Sequence, residues 1–266
     1  MMRALQVLIL FLGSLCASCN LTIAPDDAHH VLSVGNSMTY VGNTPAVFSA
    51  LSKNGKHPVV SEMIVEGGAT LAQRVKDRSV ARALAARHYS AVILQERGGD
   101  SLCSFGPESC TESRQAIRDL AILAKSSGAK VALLGTYQSI PKISLALVQA
   151  ESAAASEAGI PYVEISEKLQ ALQSELPDAQ WFAPDGVHPG PHLALLNAIS
   201  VFETLYNSTP PIKQLIVRAP IYGSTSGLTS TLRQADAPPP RSDTPLNMSY
   251  RADDIQGILT AIKSGS

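Results

Sequence analysis

The chain has little charge of either sign. Charged residues make up 16% of its 266 residues, 21 basic against 22 acidic, for a formal net charge of -1. That balance leaves no basic face to neutralise phosphates, which excludes nucleic acid as a partner on electrostatic grounds. No basic run or basic amphipathic helix offers itself to an anionic membrane. Cysteine is also scarce, at 4 residues. No Cys or His cluster has metal-ligand spacing, so neither a metal nor an organic cofactor is expected. Internal repeats are absent. Long apolar runs are nearly so, the exception being Leu5 to Leu15, which is too short to span a bilayer.

That run has Arg3 before it and Cys16-Ala17-Ser18-Cys19 after it. A basic start, an apolar stretch and small residues read as a signal peptide over residues 1–18. The expected location is therefore exported: periplasmic, secreted, or held at the membrane. Small residues before Cys19 resemble a bacterial lipobox, although Cys16 stands where Leu is usual. Two readings follow, lipidation of Cys19 or ordinary cleavage near Ala17 or Ser18. Membrane contact is expected only through such a lipid anchor. In an oxidising compartment, Cys103 and Cys110 are candidates for a disulfide closing the turn-rich Ser104–Ser109 loop.

The full chain is 45% hydrophobic, enough for one sizeable α/β domain with or without an appendage. Short apolar runs at Val31–Val34, Val59–Val65, Ala91–Gln95, Lys130–Gly135 and Tyr162–Ile165 read as strands. Between them, Thr44–Lys53, Leu71–Arg87, Ser113–Ser127 and Ser144–Ala158 read as helices. A short helix reaching Leu176 and a last one over His192–Tyr206 follow. This alternation predicts a mostly parallel, five-stranded sheet covered on both faces. The α/β domain would span residues 27–207. Residues 208–266 are an extension rich in Pro, Ser and Thr around Pro238-Pro239-Pro240, read as an extended or partly disordered arm with a closing helix over Ala252–Lys263.

Two segments carry chemistry. Val34-Gly35-Asn36-Ser37-Met38-Thr39 leaves the first strand through a tight turn, and Ser37 there is either a helix cap or a nucleophile. Far downstream, Pro184-Asp185-Gly186-Val187-His188-Pro189 puts a carboxylate three residues before an imidazole. That spacing lets Asp185 accept from Nδ1–H while Nε2 faces a hydroxyl, although Asp185-Gly186 also suits a plain turn. His192 is a competitor without a matched acid. In a parallel sheet such segments meet at the carboxyl ends of the strands.

The ordered set resembles the SGNH (GDSL-type) hydrolase superfamily. Gly35-Asn36-Ser37-Met38-Thr39 resembles its first block and Asp185-Gly186-Val187-His188-Pro189 its last. Glu66-Gly67-Gly68-Ala69-Thr70 falls where the second block supplies a glycine N–H to the oxyanion. The resemblance spans about Val31 to Tyr206 and implies a flavodoxin-like three-layer α/β/α sandwich. It implies catalysis by Ser37, His188 and Asp185, with an oxyanion hole from the Ser37 and Gly68 N–H groups. The third block departs from the family. Leu94-Gln95-Glu96-Arg97-Gly98-Gly99-Asp100 lacks the usual Asn, so Gln95 is the expected replacement donor and Arg97 the substitute. The implied function is an exported serine ester hydrolase acting on a small-molecule or glycan ester. The alternative is a weak or inactive envelope glycan-binding module on the same fold.

Overall fold

The computed structural model of the protein describes residues 29–238 and 247–264. The expected signal peptide and Cys19 lie outside the described residues. The first part of the chain runs β1 (His29–Gly35), α1 (Ser37–Tyr40), α2 (Thr44–Asn54), β2 (Val59–Val65), α3 (Leu71–Lys76) and α4 (Ser79–Ala86). It continues with β3 (Ala91–Leu94), α5 (Gly98–Ser101), α6 (Pro107–Ser126), β4 (Lys130–Leu134), α7 (Pro141–Glu157), β5 (Tyr162–Val163), α8 (Ser166–Glu175) and α9 (Pro191–Tyr206). The extension adds β6 (Leu215–Val217), β7 (Arg233–Gln234), β8 (Met248–Tyr250) and α10 (Ala252–Ser264).

Strand order in the main sheet is β5-β4-β3-β1-β2-β7. The pairs from β5 to β2 are parallel, and β7 closes the β2 edge in the antiparallel sense. The sheet thus has a sixth strand beyond the five expected, supplied by the extension. An uncovered β2 edge would leave backbone donors and acceptors unpaired, and β7 takes up part of it.

Successive residues of each strand face opposite layers, as pleating requires. Val31, Ile93, Ala132 and Leu134 join one core with α2, α9 and α10. Leu32, Val92, Leu94, Val131 and Leu133 join the other with α3, α4 and α6. The result is the three-layer α/β/α sandwich.

The described part of the extension is built into these cores. Leu215, Val217, Tyr250, Ile255 and Ile258 are buried beside α2 and α9. Tyr222 and Leu228 pack with Tyr40, Val41, Met63 and Val65. Asn43, just before α2, donates through Nδ2 to the Pro220 and Ala235 carbonyls at 2.7 and 2.8 Å. The polar composition of the segment conceals these few apolar anchors.

Three helices differ from expectation. The single helix over Leu71–Arg87 is broken at Asp77–Arg78. Arg78 adopts φ 56°, and the Asp77 side chain accepts from the Ser79 N–H at 2.8 Å, starting α4 afresh. The helices α6 and α7 begin earlier than expected, at Pro107 and Pro141. Proline has no N–H to satisfy and a helical φ, so it suits a first turn.

Candidate active site

Gly35 ends β1 at the carboxyl rim of the sheet, where the chain turns sharply into α1. A Cβ on Gly35 would sit 2.2 Å from Thr39 Oγ1 and 3.0 Å from the Gln95 carbonyl oxygen, so the turn admits no side chain. Asn36 caps α1, its Oδ1 accepting from the Met38 N–H at 3.0 Å. Ser37 is therefore the first residue of a helical turn, with its N–H at the positive end of that turn.

The second element is the loop between α8 and α9. Its arms are clamped by Ala183 N–H to His188 C=O at 2.8 Å and Gly190 N–H to Trp181 C=O at 2.8 Å. A Cβ on Gly190 would lie 2.5 to 2.7 Å from backbone atoms of Gln180 and Phe182, which accounts for glycine after Pro189. Between the clamps, Asp185 Oδ1 accepts from the Val187 and His188 N–H groups, each at 3.0 Å. The Tyr137 hydroxyl donates to the Val187 carbonyl from the far side of the loop.

These two elements meet. His188 Nε2 is 2.9 Å from Ser37 Oγ, across 151 residues of sequence. His188 Nδ1 is 2.8 Å from Asp185 Oδ2. Burial pushes the Asp185 carboxyl up, but the His188 and Val187 N–H groups and the imidazole outweigh it and hold it at about 2. The acid is therefore ionised at neutral pH and can only accept. Nδ1 must then carry the proton, which leaves the Nε2 lone pair facing the Ser37 hydroxyl.

The loop after β2 brings the glycine pair to the same rim. Gly68 has φ +69°, and a Cβ there would meet nothing within 4 Å. A Cβ on Gly67 would lie 3.2 Å from the Tyr40 hydroxyl. The turn is closed by Ala69 N–H to Glu66 C=O at 3.2 Å. A Glu66–Arg74 ion pair at 3.1 Å ties it to α3.

The third-block residues are engaged elsewhere. Gln95 is 1% exposed. Its Oε1 accepts from Thr39 Oγ1 at 2.7 Å, and its Nε2 donates to the Gly135 carbonyl at 3.2 Å. The Arg97 guanidinium is bound to Asp100 at 2.6 and 3.0 Å and lies 4.1 Å from the Phe105 ring centroid. Arg97 is thus held within its own loop, and one of the two Gln95 amide N–H groups is committed to the Gly135 carbonyl. Gln95 braces the turn carrying Ser37 from beneath, and Arg97 orders its own loop. Cys103 and Cys110 are joined in a disulfide at the end of that loop.

His192 stands apart: its Nδ1 accepts from the Gln180 N–H at 3.0 Å and its ring packs on Trp181. His57 stacks on Tyr206, and His30 lies 3.5 Å from Glu62. No group of three or more His, Cys, Asp or Glu side chains suited to a metal occurs among the described residues. None of the helices in the described residues is long and apolar enough to cross a membrane. Sequence reasoning did not single out Tyr137 or Glu96. A tyrosine three residues past a strand, and a glutamate close after one, carry no local signature of the loops they hold.

Comparison with solved structures places this architecture. A candidate SGNH hydrolase from Slackia heliotrinireducens superposes with a TM-score of 0.56 at 24% identity, over 67% of this chain and 100% of that one. The chain has the SGNH-hydrolase fold. TesA matches that fold with a TM-score of 0.52 at 21% identity, over 67% and 99% of the two chains. Axe2, an acetylxylan esterase from Geobacillus stearothermophilus, matches with a TM-score of 0.52 at 16% identity, over 67% and 94%. No family model matches the chain, and no curated protein does. The SGNH fold accounts for the rim on which Ser37, Gly68 and His188 stand.

Proposed function

We propose that the protein is an exported serine ester hydrolase of the acyl or acetyl esterase type. The observation that carries this reading is the continuous relay Ser37 Oγ to His188 Nε2 at 2.9 Å and His188 Nδ1 to Asp185 Oδ2 at 2.8 Å. Ser37 Oγ attacks the ester carbonyl carbon as its proton passes to Nε2. The resulting imidazolium is stabilised by the ionised Asp185 and returns that proton to the departing alkoxide. Water then attacks the acyl carbon as Nε2 takes its proton, the bond to Ser37 Oγ breaks, Nε2 returns the proton to Oγ, and the acyl group leaves as a carboxylic acid. The oxyanion of each tetrahedral intermediate is held by the Ser37 N–H and the Gly68 N–H.

The substrate class is read from two further observations. One fold neighbour, Axe2, is an acetylxylan esterase, and the apolar leader of this chain points to export. An acetylated glycan fits both. A second reading, a weakly active or inactive glycan-binding module, draws on Gln95, which stands in place of the third-block Asn and gives one of its two amide N–H groups to the Gly135 carbonyl.

One experiment separates them. A fluorophosphonate probe labels the purified protein and spares Ser37→Ala if Ser37 is the nucleophile. Turnover of p-nitrophenyl acetate falls by roughly 10^4-fold or more in Ser37→Ala and in His188→Ala. Folded wild type that takes up no probe and hydrolyses no ester supports the binding module instead.

A further inference from the structure

We propose that Glu96 is a positioning residue for the oxyanion loop, its carboxylate holding the start of α3, and with it the Gly67–Gly68 turn, against the end of β3. The proposal rests on the esterase reading above and goes beyond it to a residue that touches no substrate.

Glu96 follows Gln95 at the rim and is 0% exposed. A buried carboxylate is costly unless its oxygens accept hydrogen bonds, so what it accepts from is informative. Glu96 Oε1 accepts from its neighbour's Arg97 N–H at 2.9 Å. Both Oε1 and Oε2 reach the Leu71 N–H, at 3.2 and 3.3 Å, across 25 residues. Leu71 is the first residue of α3 and follows Thr70, whose side chain caps the helix. Only Ala69 and Thr70 separate Leu71 from Gly68.

The loop from Glu66 to Thr70 is short and leads into Leu71, whose side chain is buried in the core with α4 and α6. The Glu66–Arg74 pair lies on its outer side, with Glu66 44% exposed. Glu96 is the buried polar tether between this loop and the end of β3, so it joins two strand ends. Glu96 follows the strand β3, which pairs with β1, so its grip ties Gly68 to the strand pair that carries Ser37. The two oxyanion donors are thereby held on one frame. Burial lifts the Glu96 carboxyl to about 7; the Arg97 and Leu71 N–H groups and the Ser113 side chain lower it, and Asp100 raises it.

Losing this grip displaces a donor without touching the nucleophile, the base or the binding of ground-state ester. In Glu96→Ala, kcat for p-nitrophenyl acetate therefore falls about 10- to 100-fold, with KM changed less than about 3-fold. Glu96→Gln keeps one acceptor oxygen and recovers part of the rate. A boronic acid that forms a tetrahedral adduct on Ser37 loses affinity in Glu96→Ala in step with kcat.

The decisive readout is a double-mutant cycle. Gly68→Ala strains a positive φ and damages the same donor, so Glu96→Ala adds little to it. Full multiplication of the two losses, or unchanged kcat in folded Glu96→Ala, overturns the proposal. Should Glu96→Ala fail to fold, the isosteric Glu96→Gln decides: an unchanged kcat with a lowered Tm makes Glu96 merely stabilising. Inactive, unlabelled wild type would instead refute the esterase reading, so the two failures are told apart.

Discussion

Two sets of carboxylates, one on the rim and one buried behind it, have their proton affinities shifted in opposite directions. Asp185 lies in the α8–α9 loop with its side chain 38% exposed, and its carboxyl is held at about 2. Glu96 and Glu151 are buried behind the rim, and burial pushes each to about 7. All three accept backbone N–H bonds. Glu151 takes the Thr136 N–H at 3.2 Å to both oxygens, the Thr136 hydroxyl at 2.9 Å and the Tyr162 hydroxyl at 3.0 Å. Hydrogen bonds alone therefore do not set the proton affinity. Desolvation outweighs them where water is excluded, and they prevail where water remains. The exposed acid keeps a full charge, which suits an imidazolium partner. The buried acids hold loop backbone in place.

The largest expected effect tests the exposed side of that contrast. Asp185→Asn keeps the Oδ1 acceptor for Val187 and His188 but replaces the charged Oδ2 with an amide NH2 that cannot accept a hydrogen bond from Nδ1–H. Turnover of p-nitrophenyl acetate should fall by about 10^4-fold with little change in Tm. A loss of only a few-fold would mean that Asp185 is simply a turn residue.

Gln95→Ala sharpens the buried side. It leaves the Thr39 hydroxyl and Gly135 carbonyl without partners, so a stability loss of about 1–3 kcal/mol is expected. Turnover per folded molecule should change less than about 10-fold. The opposite result, a loss of about 10^2- to 10^3-fold at unchanged Tm, would return Gln95 to the oxyanion site.

Glu151→Gln reads the proton affinity directly. The unfolded carboxyl has its ordinary value of 4.5 and the folded one about 7, so the folded chain holds a proton the unfolded chain releases. That contribution is complete below pH 4.5 and is lost as pH rises through 7. Wild-type Tm should drop between about pH 5 and pH 8, by less in Glu151→Gln, as followed by circular dichroism. An equal drop in both would remove Glu151 as the source. Asp185 has the reverse sign: its small contribution is lost as pH falls through about 2.

The smallest effect is that of Tyr137→Phe, which frees the Val187 carbonyl. A loss of about 0.5–1.5 kcal/mol in thermal melts and a few-fold in kcat are expected. A larger fall in kcat at constant Tm would show that the loop depends on this one bond for alignment.

Much of this was legible locally. The β2 strand falls on Val59–Val65 as expected, because five of its seven residues are Val, Met or Ile, the apolar and β-branched types that suit a buried parallel strand. Ser37 and the Asp185–His188 spacing were legible for a similar reason, since the acid, the base and the turn residues between them act within four positions. The break at Asp77 was not, because the apolar pattern continues through it while one side chain recaptures the backbone. Nor was the role of residues 208–266, where β7 and a few apolar anchors are outnumbered by proline, serine and threonine.

The succession of strands and helices, the two-faced core and the chemistry available to the rim follow from periodicity and residue type, which act over a few neighbours and so can be read along the chain. The meeting of Ser37 with His188, the burial of Gln95 beneath Thr39 and the reach of Glu96 to Leu71 were settled by the folded molecule alone. Each joins residues 25 to 151 positions apart. Whether an amide faces a substrate or a carbonyl depends on where neighbouring strand ends are packed, which no local pattern encodes.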